Sequence, residues 1–316
     1  PSLLRPLLLA LALALAGCAD EVTDAEKTTR AFTLYGYLDP KSDVQVVRVF
    51  PIQPLLERIG PEIDAEVRYL DLETGAAHPG VDSVVSFPSG EYGHVFNGHF
   101  RARYGSTYRV EVTRSDGAES FAEVTVPSEV TVEELPVFIT RSVDSPTPRP
   151  HLPLFFKGEP TWIATATAIY DVEIYELFAR RQVRISYDYR PEQVEGGWQV
   201  AVDLTTDFEH ILSTFIGEFG PAVEDYQILF IGLRFVVDVV NEGWYPPTGR
   251  FDAELLVEPG LMTNVDNGFG FIGSGYRLTH EMKVPECLLS WAGYAFMFGP
   301  CTSADWCQYT GARCDD

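Results

Sequence analysis

The sequence predicts a mainly β protein: an N-terminal β-sandwich of immunoglobulin-like or transthyretin-like size, followed by a second β-rich domain carrying one amphipathic helix. Three observations carry that prediction. Runs of β-branched and aromatic residues recur at roughly eight-to-twelve-residue spacing with turn residues between them. The 20 Phe and 15 Tyr favour strands. A single stretch, "TDFEHILSTFIGEFGP", has a clear helical period.

The chain opens on a segment outside that fold. Arg5-Pro6 interrupts the apolar run Leu3–Ala16, leaving about ten apolar residues where a membrane-spanning helix needs roughly 20. A positive charge, a short apolar core and small residues together read as a secretory leader, residues 1–17. Its end, Leu15-Ala16-Gly17-Cys18, resembles the bacterial lipobox. The resemblance implies that Cys18 takes a diacylglyceryl group on its sulfur, a role only a nucleophilic thiolate can fill. Residues 18–30 form a charged tether without apolar period, acidic at Asp20, Glu21, Asp24 and Glu26. An acidic stretch after a lipidated cysteine is similar to the surface-export signal of Bacteroidota-type lipoproteins.

The net charge of −23 argues against a nucleic-acid partner, because phosphates require a basic face. Apart from Cys18, the cysteines are Cys287, Cys301, Cys307 and Cys314, all close to the C-terminus. An even number in an exported chain points to disulfides rather than zinc, since no CxxC pair or histidine lies among them; three connectivities stay open. Such bridges would staple the tail 287–316.

Strand signals begin at Ala31. "AFTLYGYL" and "VQVVRVF" form an opening pair around the turn Asp39–Asp43. In "AEVRYLDLETG", Ala65, Val67, Tyr69 and Asp71 share a face before a turn at Thr74-Gly75. "YGSTYRVEVTRSDGAESFAEVTVP" is a hairpin: Tyr108, Val110 and Val112 alternate outbound, Asp116-Gly117 turns, and Phe121, Val124 and Val126 return. The sandwich is thus assigned to 31–128. Residues 129–159 hold Pro136, Pro146, Pro148, Pro150 and Pro153, and read as a stiff connector.

The second domain, 160–286, opens with "TWIATATAIYDVEIYEL", "RQVRISYDYR" and "GWQVAVDL", all strand-like. The helix follows, with Phe208, Ile211, Leu212, Phe215, Ile216 and Phe219 in one stripe, Thr206 and Glu209 as a capping box, and Gly220-Pro221 as the stop. "YQILFIGLRFVVDVV" fits both periods; its β-branching selects a strand with Leu229, Ile231, Leu233, Phe235, Val237 and Val239 inward. "NGFGFIGSG" matches G-x-G-x-x-G literally through Gly268, Gly270 and Gly273. A dinucleotide site needs a strand before it, a helix after it and an acid about 20 residues on. Asp266-Asn267 precedes the motif and a strand-like run follows, so it reads as a turn.

That same stretch carries a family resemblance. "TNVDNGFGFIGSGYR", with Asn264, Gly268, Gly270 and Gly273, is similar to the C-terminal signature of domain-of-unknown-function family 4249. The lipobox, the opening strand pair and "YGSTYRVEV…AEVTVP" extend the likeness over most of 18–280; position 272 is Ile where an aromatic is common. The resemblance implies an outer-membrane lipoprotein serving a TonB-dependent transporter, and it brings no catalytic residues.

The residues nominate no enzyme. There is no G-x-S-x-G, P-loop or H-E-x-x-H; His94 and His99 lie five apart, which places them on opposite faces of a strand; "NVDNG" fails the calcium-loop spacing. No cofactor or metal is expected. Trp244 and Tyr245, beside Pro246-Pro247, are the best contact candidates for a partner or ligand. The expected function is non-enzymatic: docking to a transporter or capturing its ligand. A free-standing glycan- or peptide-binding lipoprotein is the alternative, and an unrecognised hydrolase ranks last.

Overall fold

A computed structural model describes residues 30–295, apart from 53–58, 89, 91, 143–144, 159–161, 177–178, 221–226 and 242–262. The protein is mainly β, with large sheets and two helices among the described residues. None of its described helices is long and apolar enough to cross a membrane.

The opening pair forms as expected from its alternation. β1 (Phe32–Leu38) runs antiparallel to β2 (Gln45–Pro51), with Leu34 and Leu38 of β1 and Val47 and Val49 of β2 buried. The turn between them is set by Gln45, whose side chain is buried and therefore needs partners. Its Oε1 accepts the Asp39 N–H (2.8 Å), while Nε2 donates to the carbonyls of Asp39 (3.0 Å) and Ser42 (2.9 Å).

Next come β3 (Glu66–Asp71), β4 (Ala77–Ser86), β5 (Tyr92–Gly98), β6 (Thr107–Thr113) and β7 (Glu119–Thr125). Val67, Tyr69 and Asp71 are buried on one face of β3, as their spacing requires. β4 changes partner along its length, pairing with β3 at Ala77–Pro79 and with β5 at Gly80–Ser86. In the hairpin, Tyr108, Val110 and Val112 point inward. The return strand differs from expectation: Ala122, Val124 and Val126 are buried, and Phe121 lies on the other face beneath the Arg109 guanidinium, 4.0 Å from the ring centroid. Period two excludes Phe121 from the set formed by Val124 and Val126.

The proline-rich stretch is not a connector. It folds as β8 (Thr131–Glu134), β9 (Phe138–Ser142) and β10 (Ser145–Lys157), and Leu152, Leu154 and Phe156 of β10 are core residues. Proline is tolerated where no ladder N–H is needed. Pro146 and Pro148 fall in the register irregularity against β9 between Ser145 and Arg149. The Pro153 carbonyl accepts Leu135 N–H, one residue past β8, so the missing donor sits at the end of that ladder.

β11 (Trp162–Glu176), β12 (Ala179–Tyr189), β13 (Glu192–Val194) and β14 (Gly197–Asp203) follow, then α1 (Leu204–Phe219) without an intervening loop. The cap is Asp203 rather than the Thr206–Glu209 pair: its carboxylate accepts the N–H groups of Thr205 (3.1 Å) and Thr206 (2.9 Å). Ile211 and Phe215 are buried in the core, with Phe208, Leu212 and Ile216 packed around them.

β15 (Gln227–Val240) is a strand, but its inward set changes partway. Asp171 pairs with Gly232 and Val172 with Phe230, so Ile231 is an extra residue on β15. This bulge reverses the parity. Ile228 is buried in place of Leu229, and Ile231 is 52% exposed.

β16 (Val265–Asp266) leads into β17 (Gly268–Met282). The glycine motif is therefore inside a strand and not in a turn; the turn residue is Asn267, at φ 50°. A second helix, α2 (Glu286–Ala292), stands where the sequence predicts the start of a loose tail. Leu288, Leu289, Ala292 and Tyr294 are buried in the core.

Two cores result. The first spans Ala31–Val126 and also takes Val265 and Ile272; the second runs from Val130 to Tyr294. β17 belongs to both. Gly268–Ser274 pair in parallel with β1, and Gly275–Met282 pair antiparallel with β15, giving one continuous ladder from β12 to β16. The first core is therefore not contained in residues 31–128.

Candidate functional site

Where β17 passes from one core to the other, its outer face carries a groove of about 550 Å³. Tyr37 and Asp39 from the end of β1 line one side. Thr165, Asp238 and Arg277 come from β11, β15 and β17. The register makes these three neighbours, since Thr165 pairs with Asp238 and Asp238 with Arg277. Ala164, an extra residue between the Ile163 and Thr165 pairings, is a bulge at the groove wall. Bulges re-aim side chains at such places.

The polar groups here are bonded to one another. Arg277 Nε donates to Asp238 Oδ1 (2.8 Å) and its terminal nitrogen to Oδ2 (3.1 Å), while the Thr165 hydroxyl also reaches Oδ2 (2.7 Å). Partial burial works against the Asp238 charge, but the guanidinium and hydroxyl outweigh it and hold the carboxyl below its usual range. Asp39 is fixed by Gln45, and its Oδ1 accepts Lys41 N–H (2.8 Å). Lys41 Nζ donates to the Arg277 carbonyl (2.8 Å) and stands 5.1 Å from the Tyr276 ring centroid.

Tyr276, at the floor, ties the halves together. Its hydroxyl donates to Ser128 O (2.9 Å) and accepts Val130 N–H (2.8 Å), and Tyr104 meets its ring edge-on at 5.3 Å. Tyr37, in contrast, is 50% exposed, and its register partner on β17 is Gly273.

A second polar cluster is buried under α1. Tyr170 and Tyr189 both donate to Oδ2 of Asp207, Tyr189 at 2.6 Å. The Tyr189 oxygen also accepts Asp203 N–H (3.2 Å). Burial pushes the Asp207 carboxyl up to about 6 from an ordinary 3.8, with the tyrosine hydroxyls opposing it. Between these values the folded state holds a proton that the unfolded chain has lost. The stability this group confers is therefore full below about pH 4 and lost as pH rises through 6. Asp207→Asn keeps an acceptor without the charge. On urea unfolding, the variant should gain about 2.4 kcal/mol on wild type between pH 4 and 7, from about 1.4 kcal/mol per unit. An unchanged difference would show that Asp207 does not titrate in this way.

The signature residues have structural roles. Asn264 clamps Ile272, donating from Nδ2 to its carbonyl (2.7 Å) and accepting its N–H at Oδ1 (3.0 Å). Gly268 and Gly270 let β17 lie against β1: a β-carbon on Gly268 would come within 2.5 Å of the Phe32 oxygen, and one on Gly270 would collide with the Leu34 oxygen. Gly273 alone adjoins the groove, opposite Tyr37. His94 is buried in β5, with Nδ1 2.8 Å from Asp82 and Nε2 3.0 Å from the Gly60 carbonyl, while His99 is exposed past the strand's end. Cys287 is half-buried in the first turn of α2. Cys18, Trp244, Tyr245, Cys301, Cys307 and Cys314 lie outside the described residues.

Sequence reasoning missed Tyr37, Asp39, Thr165, Asp238 and Arg277, because their proximity depends on non-local register. Asp207 did leave a signal. It lies four residues before Ile211 and eight before Phe215, on the buried stripe itself. No protein-family model matches the chain, and no curated protein is similar to it.

Proposed function

We propose that this protein is a lipid-anchored, non-enzymatic accessory protein of a TonB-dependent uptake system at the outer membrane, probing the outside from the cell surface and capturing the transporter's ligand in the β17 groove. The observation that supports capture is the state of the groove's charges. A general base works best with a pKa near the operating pH. Asp238 is instead held as a fixed carboxylate by Arg277 and Thr165, an arrangement that presents a shaped polar surface to a ligand. The first half is proposed to be an immunoglobulin-like or transthyretin-like sandwich, supported by a shared core between the β1–β2–β5 and β3–β6–β7 layers. We assign the tail's cysteines to disulfides; Cys287 is not a free thiol, which supports that reading.

Anchoring rests on the lipobox-like Leu15–Cys18. One acyl chain binds a membrane reversibly and two or more bind it stably. Cys18→Ser should therefore move the protein from the membrane to the aqueous fraction, with loss of the fatty-acid mass from the processed N-terminus. A serine variant that still sediments with vesicles would refute the anchor. Purification in mild detergent should bring a transporter along. If none accompanies the wild-type chain, the alternative of a free-standing surface binding lipoprotein takes its place.

A further inference from the structure

We propose that the outer face of the β1–β2–β5–β4 layer lies on the lipid bilayer, with its valines and aromatic rings at the headgroup boundary and Arg30 and Arg48 against lipid phosphates; this rests on the lipid-anchor reading above. Three observations point to that partner.

The first is what the face is made of. Leu34, Val47, Val49 and Phe96 point into the first core, so the residues alternating with them point out. The register lines these up across the layer: Tyr37 pairs with Val46, Val46 with Asn97 and Asn97 with Val81. Val81 is 56% exposed and Val85 45%, and Val46 is exposed as well. Phe87 joins them on the same side, since Val85 pairs with Gly93 and a β-carbon on Gly93 would stand 3.0 Å from the Phe87 ring. Tyr35 and Phe50 meet edge to face at 6.3 Å beside them. A solvent-facing sheet face is normally polar, and a contiguous apolar one marks an interaction site.

The second is charge. In a chain of net charge −23, none of the outward positions of residues 33–37, 46–50, 81–87 and 93–97 is acidic. The cations of the face lie over rings. Arg48 is 5.1 Å from the Phe50 centroid, and Arg30 is 4.4 Å from that of Phe269, the register partner of Thr33. An arginine stem laid on an apolar surface, with its guanidinium in water, suits a phosphate above an acyl layer. The outer face of the opposite layer carries Glu66, Arg68, Arg109 and Glu123 instead. Charge therefore turns the acid-free face, and not the opposite one, toward a phosphate-bearing surface. A second copy would set arginine against arginine and bring its own −23 with it.

The third is where the chain enters. Phe32 pairs with Pro51, Val49 with His94 and Ser86 with Tyr92, so Arg30 and Phe87 lie at the same end of the layer. Three strand spacings, about 14 Å, separate β1 from β4 there. Cys18 precedes Arg30 by 12 residues, which reach about 40 Å at full extension. Acyl groups on Cys18 thus hold the bilayer close to the apolar end of the β4–β5 hairpin. The face by itself holds weakly, because the rest of the chain's charge opposes an anionic surface, and the anchor must come first.

The test is quenching of an added tryptophan in the acylated full chain, reconstituted in vesicles of phosphatidylcholine with a minority of phosphatidylglycerol, with and without brominated acyl chains. Val85→Trp should lose about half of its emission above that of the native tryptophans in brominated vesicles, as expected for a side chain at the headgroup–acyl boundary. Glu66→Trp, on the opposite layer, should lose none. Adding Arg48→Glu and Val81→Asp to Val85→Trp should abolish the loss, with thermal melts and fatty-acid mass unchanged. A chain that carries its acyl groups and floats with the vesicles, yet shows no quenching at Val85→Trp, overturns the inference and leaves the anchor intact. Blue-shifted but unquenched emission would mean that protein covers the face, a second copy or a transporter, and overturns it too. A chain without fatty-acid mass that stays in the aqueous fraction fails the anchor reading, and the inference falls with it.

Discussion

Gly270→Ala should destabilise the protein by about 3–5 kcal/mol, a large share of the ~5–15 kcal/mol that holds a typical domain folded. Gly270 sits at φ 95°, where a β-carbon is strained by about 1–2 kcal/mol. The larger cost comes from the neighbour. The new carbon would strike the Leu34 carbonyl, a backbone atom fixed in β1 by pairing to both β2 and β17. Relief requires the parallel β1–β17 ladder to open, and with it the burial of Ile272. Gly75 is the internal control: at φ 71° it has the same kind of backbone, but nothing lies within 4 Å of its would-be β-carbon. Gly75→Ala should therefore lose about 1 kcal/mol. Equal urea midpoints for the two variants would show that the close approach of β17 to β1 does not carry the stability assigned to it.

The second large effect is on the first core. A fragment of residues 31–128 holds every strand that the sequence groups into the N-terminal sandwich, yet it should not fold cooperatively. It lacks Val265 and Ile272, each worth about 1.5–3 kcal/mol when buried. It also lacks β17 against β1 and β16 against β7. The connection between these layers is lost too: Asn267 O accepts both Ala31 N–H (3.0 Å) and the Ser120 hydroxyl (2.6 Å), and Ser120 Oγ in turn accepts Phe32 N–H (3.2 Å). The exposed edge of β1, "FTLYGYL", would then favour association between chains. Circular dichroism in urea should show a broad, non-sigmoidal change, and appending residues 263–282 through a flexible linker should restore a sharp transition. A sharp transition in the 31–128 fragment alone would mean that the first half is an independent unit.

Legibility in the sequence followed the range of the interactions. The period-two alternation of Tyr108, Val110 and Val112 and the stripe through Ile211 and Phe215 are local, and both marked their elements correctly. The errors arose where a distant contact overrode the local signal. The prolines of this stretch discourage a strand locally, but Leu152, Leu154 and Phe156 gain a core, and Pro146, Pro148 and Pro153 sit at a register irregularity or a ladder end that tolerates them. The bulge at Ile231 shifts the inward set of β15 for a reason found only in its register with β11. The glycine motif reads as a turn from its flanks, Asp266-Asn267 before it and a strand-like run after it; its glycines instead lie within β17, where Gly268 and Gly270 make room for β1.

The sequence by itself determined that the chain is β-rich, where most strands lie, that one long helix is amphipathic, and that the surface is strongly acidic. Alternation, helical period and charge need no knowledge of distant residues. Tertiary structure alone decided that β17 joins two cores, and that Tyr37, Asp39, Thr165, Asp238 and Arg277 meet. Those residues span 240 positions of chain, and a register one residue different would turn half of them to the opposite face.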